Sequence, residues 1–127
     1  MRSKARDSVY KYLFSTLFNQ DDEGLFDVLI KELNNDDKNF AKDLLNAVLK
    51  NKDLYFEKIE SLVENYQFNR IFNTDKIAIL IGMAEFDNFK ETPKAVIIDE
   101  AVKLSAVYST ERSTDFVNGI LAQYVRG

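Results

Sequence analysis

The amino-acid sequence predicts an all-α fold, a compact bundle of about seven helices forming one domain over residues 1–127. Three observations predict it. Apolar residues recur at intervals of three and four in one segment after another, the spacing that lines one face of a helix. No stretch alternates apolar and polar residues between hairpin-turn residues, so strands have no support. No repeat of fixed period is present and the polar breaks are short, which favours a bundle over a solenoid.

The first helix is expected from about Ser3 to Phe18, with Val9, Tyr10, Leu13, Phe14 and Leu17 on a broad apolar stripe. Asn19 to Asp22 is a polar break that can cap a second helix carrying Leu25, Phe26, Leu29, Ile30 and Leu33. Asn34 to Asp37 ends that helix and caps the third, whose stripe is Phe40, Ala41, Leu44, Leu45 and Val48. Asn51 to Asp53 then reads as a break or a kink, and Tyr55, Phe56, Ile59, Leu62, Val63 and Tyr66 form a fourth helix beyond it. Phe68 to Asn73 is a connector with room for a short helical turn.

Thr74 and Asp75 open a helix that is apolar almost all round, from Ile77 through Phe86, which places it at the centre of the bundle. Two more helices follow. Val96, Ile97, Ala101, Leu104 and Tyr108 line the first, with Thr92 as the expected N-cap and Pro93 at the first helical position, where its missing N–H costs nothing. Phe116, Val117, Ile120, Leu121 and Tyr124 line the last, with Ser113 as its expected cap. Gly119 in its interior costs about 1 kcal/mol against alanine and is read as a point of close helix approach.

Composition bounds the function. The chain has no cysteine and no histidine, which excludes disulfides, zinc–thiolate sites, Cys or His nucleophiles and histidine general bases. Its four glycines are scattered, so no phosphate-cradling loop of the nucleotide-binding kind can form. No catalytic residue, cofactor or metal ligand is assigned. No apolar run approaches 18 residues and no signal-peptide pattern opens the chain, so the cytoplasm is the expected location.

A net charge of −4 argues against a generic nucleic-acid binder, but the distribution is uneven. Residues 1–12 hold Arg2, Lys4, Arg6 and Lys11 against Asp7 alone, a net +3, leaving 13 positive and 20 negative side chains for the rest. Cations at a helix start oppose the macrodipole by roughly 0.3–1 kcal/mol each, and a bound anion would reverse that sign. Two readings stand on these residues: a phosphate-binding site, or a frayed and solvated terminus.

The C-terminal pair makes the sequence recognisable. Asp99, Glu100, Ala101, Val102, Lys103, Leu104 and Ser105, followed after a polar turn by Asp115, Phe116, Val117, Asn118, Gly119, Ile120 and Leu121, resemble the NusB family pattern N-E-A-V-E-L-A … K-F-V-N-G-V-L. Phe40 to Val48 is similar to the family's helix around D-L-L-x-G-V, and Lys76 to Phe86 to its L-R-x-A-x-Y-E-L helix, retaining Glu85. The opening R-S-K-A-R-D resembles the family's R-R-x-A-R-E. Departures are Ser3 at one basic position, Leu80 for arginine, Ala84 for an aromatic residue, Ala47 for glycine and Asp99 for asparagine.

The resemblance implies two packed helical subbundles and a transcription antitermination factor without catalytic activity. It would bind boxA RNA with NusE, a small-subunit ribosomal protein, and act with the RNA polymerase antitermination complex in ribosomal RNA transcription. It implies Arg2, Lys4 and Arg6 as phosphate contacts and Phe14 as a stacking ring at a position where the family commonly has tyrosine. Arg112 would extend the positive surface, and Phe116 would offer a ring to RNA or pack inward. Asn118 and Glu100 are expected to be structural hydrogen-bond partners. Some relatives form homodimers, which makes a homodimer possible here. Two other readings remain: the NusB-like domain of an rRNA cytosine methyltransferase, for which no catalytic cysteine is present, and a helical interaction module without RNA recognition.

Overall fold

The computed structural model describes residues 2–16, 23–63 and 71–127. Among them are six α-helices and no strand: α1 (Ser3–Thr16), α2 (Glu23–Ile30), α3 (Asn35–Val63), α4 (Asn73–Asn88), α5 (Lys94–Tyr108) and α6 (Glu111–Arg126). The Leu17–Phe18 end expected for the first helix, the Asn19 to Asp22 break, Tyr66, and Phe68 to Arg70 of the connector lie outside the described residues.

The sequence expectation of a central helix is met by α4. Ile77 through Ala84 are all buried, and α4 packs against α1, α3, α5 and α6. It thereby joins the α1–α2–α3 group to the α5–α6 hairpin, giving the two packed subbundles. Gly82 is the residue that permits this density. A Cβ there would stand 2.7 Å from Leu121 Cδ1 of α6, closer than real Cβ contacts come. The tight approach expected at Gly119 is made here instead, and Gly119 is only half-buried.

The helix count differs because α3 does not stop at Asn51 to Asp53. Val48 and Tyr55, two turns apart across the expected break, are both buried on the same face. Asn51 turns its side chain back to donate to the Ala47 carbonyl at 3.4 Å, so it stays within the helix. Asparagine and aspartate each cost no more than about 0.7 kcal/mol in a helix interior, less than burial of one large side chain returns. At the start of α3, Asn34 Oδ1 accepts from the Asp37 N–H at 2.8 Å, the expected cap.

Two caps move by a few residues. Pro93, not Thr92, is the N-cap of α5; its ψ of 144° keeps it extended while its carbonyl already accepts from Ile97 at 3.1 Å. At α6 the cap is Thr110, whose hydroxyl accepts from the Ser113 N–H at 3.3 Å. Ser113 lies inside the first turn, and its hydroxyl is committed to a buried carboxylate. Asn118, expected to be a structural partner, is exposed on the outer face of α6.

Candidate nucleic-acid interface

The first turn of α1 divides the three cations of the opening. With 3.6 residues per turn, Lys4 falls on the same face as Lys11 and Ser15, all exposed. Arg6 falls instead with Val9, Tyr10 and Leu13, at spacings of three, four and seven, all buried. Arg2 lies at the boundary, its side chain 39% exposed, with the guanidinium 4.3 Å above the Phe40 ring and 3.6 Å from Glu91.

Arg6 is therefore withdrawn from the phosphate-binding set. It is 4% exposed, and its fork donates to Glu85 twice, from Nε at 2.6 Å and Nη2 at 2.5 Å, and to Glu100 Oε1 from Nη1 at 2.9 Å. A guanidinium buried this deeply, with three of its five N–H groups on two buried carboxylates, is out of reach of an RNA phosphate. Glu100 is the structural partner the sequence led us to expect, and Glu85, 1% exposed on the central helix, is the second.

The remaining candidates meet at the opposite end of the bundle. Phe14, 54% exposed, joins Lys11, Ser15, Tyr10, Thr74 and Tyr108 around a hollow of about 260 Å³. Exposed Arg112 and partly exposed Phe116 line a larger one of about 720 Å³ with Phe72, Asp75 and Thr110. A ridge of hydroxyls separates the two. Thr74 Oγ1 donates to Ser109 Oγ at 3.1 Å, the Ser109 and Ser113 hydroxyls lie 2.9 Å apart, and Ser113 donates to Asp75 Oδ2 at 2.9 Å. Arg2 and Phe14 are twelve residues apart on or beside α1, roughly 18 Å at 1.5 Å per residue, with Lys11 between them.

Ring stacking and hydrogen bonds tie this end together. The Tyr10 and Tyr108 rings stack at 4.4 Å and 11°; Tyr10 donates to the Thr74 carbonyl at 2.8 Å, and Tyr108 to Asp7, which also pairs with Lys11 at 3.1 Å. Burial first, and then the neighbouring carboxylates, raise both phenols above the usual tyrosine range, so both remain donors at neutral pH. Lys11 and Tyr108 were not singled out as interface residues by sequence. Lys11 was legible as an exposed cation two turns after Lys4; Tyr108, placed on a core stripe, carried no such signal.

Asp75 sits under the ridge with Oδ1 lacking a hydrogen-bond partner, and burial raises its carboxyl above the usual range despite donation from Ser113. The folded state then binds more protons than the unfolded one, so this group's contribution favours folding at low pH and is lost as pH rises through its raised value. We expect the stability of Asp75→Asn relative to the unsubstituted protein to improve between pH 4 and pH 7. Urea midpoints at the two pH values check this; an unchanged difference refutes it.

What these groups can do is bind. Exposed cations attract phosphates, and exposed rings stack on bases. Among the described residues, no cluster of carboxylates could hold a metal ion, and no helix is long and apolar enough to cross a membrane.

An all-helical surface with accessible cations and exposed rings offers the groups through which proteins bind nucleic acid. The chain matches the NusB family over residues 3–126 and belongs to it. It is 34% identical over 125 residues to the transcription antitermination protein NusB of Methylacidiphilum infernorum, covering 94% of this chain and 87% of that one. It is 32% identical to that of Alkaliphilus oremlandii, covering 98% and 92%. Its fold is similar to T. maritima NusB, with a TM-score of 0.88 at 26% identity, covering 99% of this chain and 91% of that one. It is also similar in fold to a chain from the crystal structure of antitermination factors NusB and NusE in complex with double-stranded RNA, with a TM-score of 0.84 at 24% identity, covering 98% and 96%. These relatives are transcription factors rather than enzymes.

Proposed function

We propose that this protein is a single-domain cytoplasmic RNA-binding factor that recognises boxA-type RNA together with NusE and promotes read-through during ribosomal RNA transcription. The observation that carries the reading is the pair of cations, Arg2 and Lys4, left accessible at the start of α1 on a chain of net charge −4. Family membership supports reading such a pair as phosphate contacts. NusE and the RNA polymerase antitermination complex are the partners this reading assigns. Phe14, Arg112 and Phe116 extend the RNA surface at the other end of the bundle, with Lys11 along the way.

The withdrawal of Arg6 into the core favours one competing reading, an interaction module that keeps the scaffold without RNA recognition. Binding of boxA RNA and of a scrambled RNA, with and without NusE, separates the two. Preference for boxA when NusE is present is the expected result. Equal affinity for both sequences under that condition rejects the antitermination role.

A further inference from the structure

Ser3 occupies a position where the family's opening is basic, and its side chain has a partner. Its hydroxyl donates to Glu100 Oε1, the same oxygen that accepts from Arg6 Nη1 at 2.9 Å. The first turn of α1 contains no acidic residue to offset the repulsion between Arg2, Lys4 and the positive end of the macrodipole. Arg6, Glu85 and Glu100 together carry one excess negative charge directly beneath that turn. Lys103 approaches only the outer oxygen of Glu100, at 3.9 Å.

We infer that Ser3 is a positioning residue for RNA binding: its bond to Glu100 ties the cationic turn to the buried Arg6–Glu85–Glu100 cluster and so fixes Arg2 and Lys4 in place. The inference rests on the RNA-binding reading above. Arg2 and Lys4 flank Ser3 in the chain, and the Arg6 N–H donates to the Arg2 carbonyl at 3.0 Å, closing the turn that contains all three. Arg2 is held further by the Phe40 ring, which also lies 5.3 Å from Arg6. Replacing a basic residue by serine thus removes one charge and anchors the neighbouring two. An anchored pair loses less conformational entropy on meeting phosphate than a frayed one does.

Ser3 is partly exposed and Arg6 still bridges Glu85 and Glu100 without it, so Ser3→Ala keeps the fold. In the free full-length protein, amide exchange at Arg6 is expected to accelerate about three- to tenfold, the value of one net hydrogen bond. The Kd for boxA RNA with NusE should rise by a similar factor while the slope of log affinity against log salt stays the same, because both cations still reach phosphate. Ser3→Thr should restore both. Weaker binding with unchanged exchange would mean that Ser3 touches RNA itself and would overturn the inference. Faster exchange with unchanged Kd would overturn it as well, by showing that turn order is irrelevant to RNA. Failure of the unsubstituted protein to prefer boxA would reject the RNA-binding reading and the positioning role with it, whereas the exchange measurement on free protein would still report the Ser3 anchor.

Discussion

Arg6→Ala is expected to destabilise the fold by about 3–5 kcal/mol, enough to consume much of the 5–15 kcal/mol that holds a typical domain folded. The loss comes from what remains, not from what is removed. Glu85 and Glu100 would be left buried, within reach of each other's field and without the guanidinium that neutralises them. Burying an uncompensated carboxylate costs far more than the net strength of a salt bridge. Arg6 also joins α1 to both α4 and α5, so the change strikes where the two subbundles meet.

A second variant separates charge from packing. Replacing all three members by apolar residues of similar volume, Arg6→Met with Glu85→Leu and Glu100→Met, removes the buried charges together. It is expected to recover most of the stability lost in Arg6→Ala, measured as the midpoint of urea unfolding. If the triple variant is as unstable as Arg6→Ala, the cluster contributes through directed hydrogen bonds that no apolar packing replaces.

This cluster also shows how far the sequence could be followed. The helices were legible because each must bury a stripe, and stripes are written at a spacing of three and four. Arg6 was misplaced because cations at a chain terminus are ordinarily solvated, and its partners lie 79 and 94 residues away. The signal was nevertheless present. Arg6 stands on the Val9–Tyr10–Leu13 stripe, Glu100 on the Ile97–Leu104 stripe, and Glu85 on a helix with no polar face. A charge on a core stripe needs a partner of opposite sign, and these three satisfy one another. The continuity of α3 was less legible. The Asn51–Lys52–Asp53 run has the composition of a break, and only tertiary burial of Val48 and Tyr55 on one face decides against it. The hydroxyl ridge of Thr74, Ser109 and Ser113 was invisible for the same reason, since it joins three helix ends that sequence spacing cannot bring together.

With Arg6 assigned to the core, the salt dependence of RNA binding becomes a count of the cations still at the surface. Each phosphate contact on single-stranded RNA contributes about 0.7 to the slope of log affinity against log salt. Arg2→Ala with Lys4→Ala is therefore expected to flatten the slope by roughly 1.4 units and to weaken binding most at low salt. Between 50 and 200 mM salt, the unsubstituted protein should lose about sevenfold more affinity than the double variant. The apolar triple variant should keep the full slope, because Arg6 releases no counterion, even if affinity falls with the loss of the Ser3 anchor. Arg112→Ala adds a geometric test, since Arg112 lies across the hydroxyl ridge from Phe14. A further loss of about 0.7 units would mean that RNA crosses that ridge. An unchanged slope would confine the phosphate contacts to α1. If the double variant binds with an unaltered slope, Arg2 remains engaged with Phe40 and Glu91 in the complex, Lys4 stays solvated, and the phosphates are held by other residues.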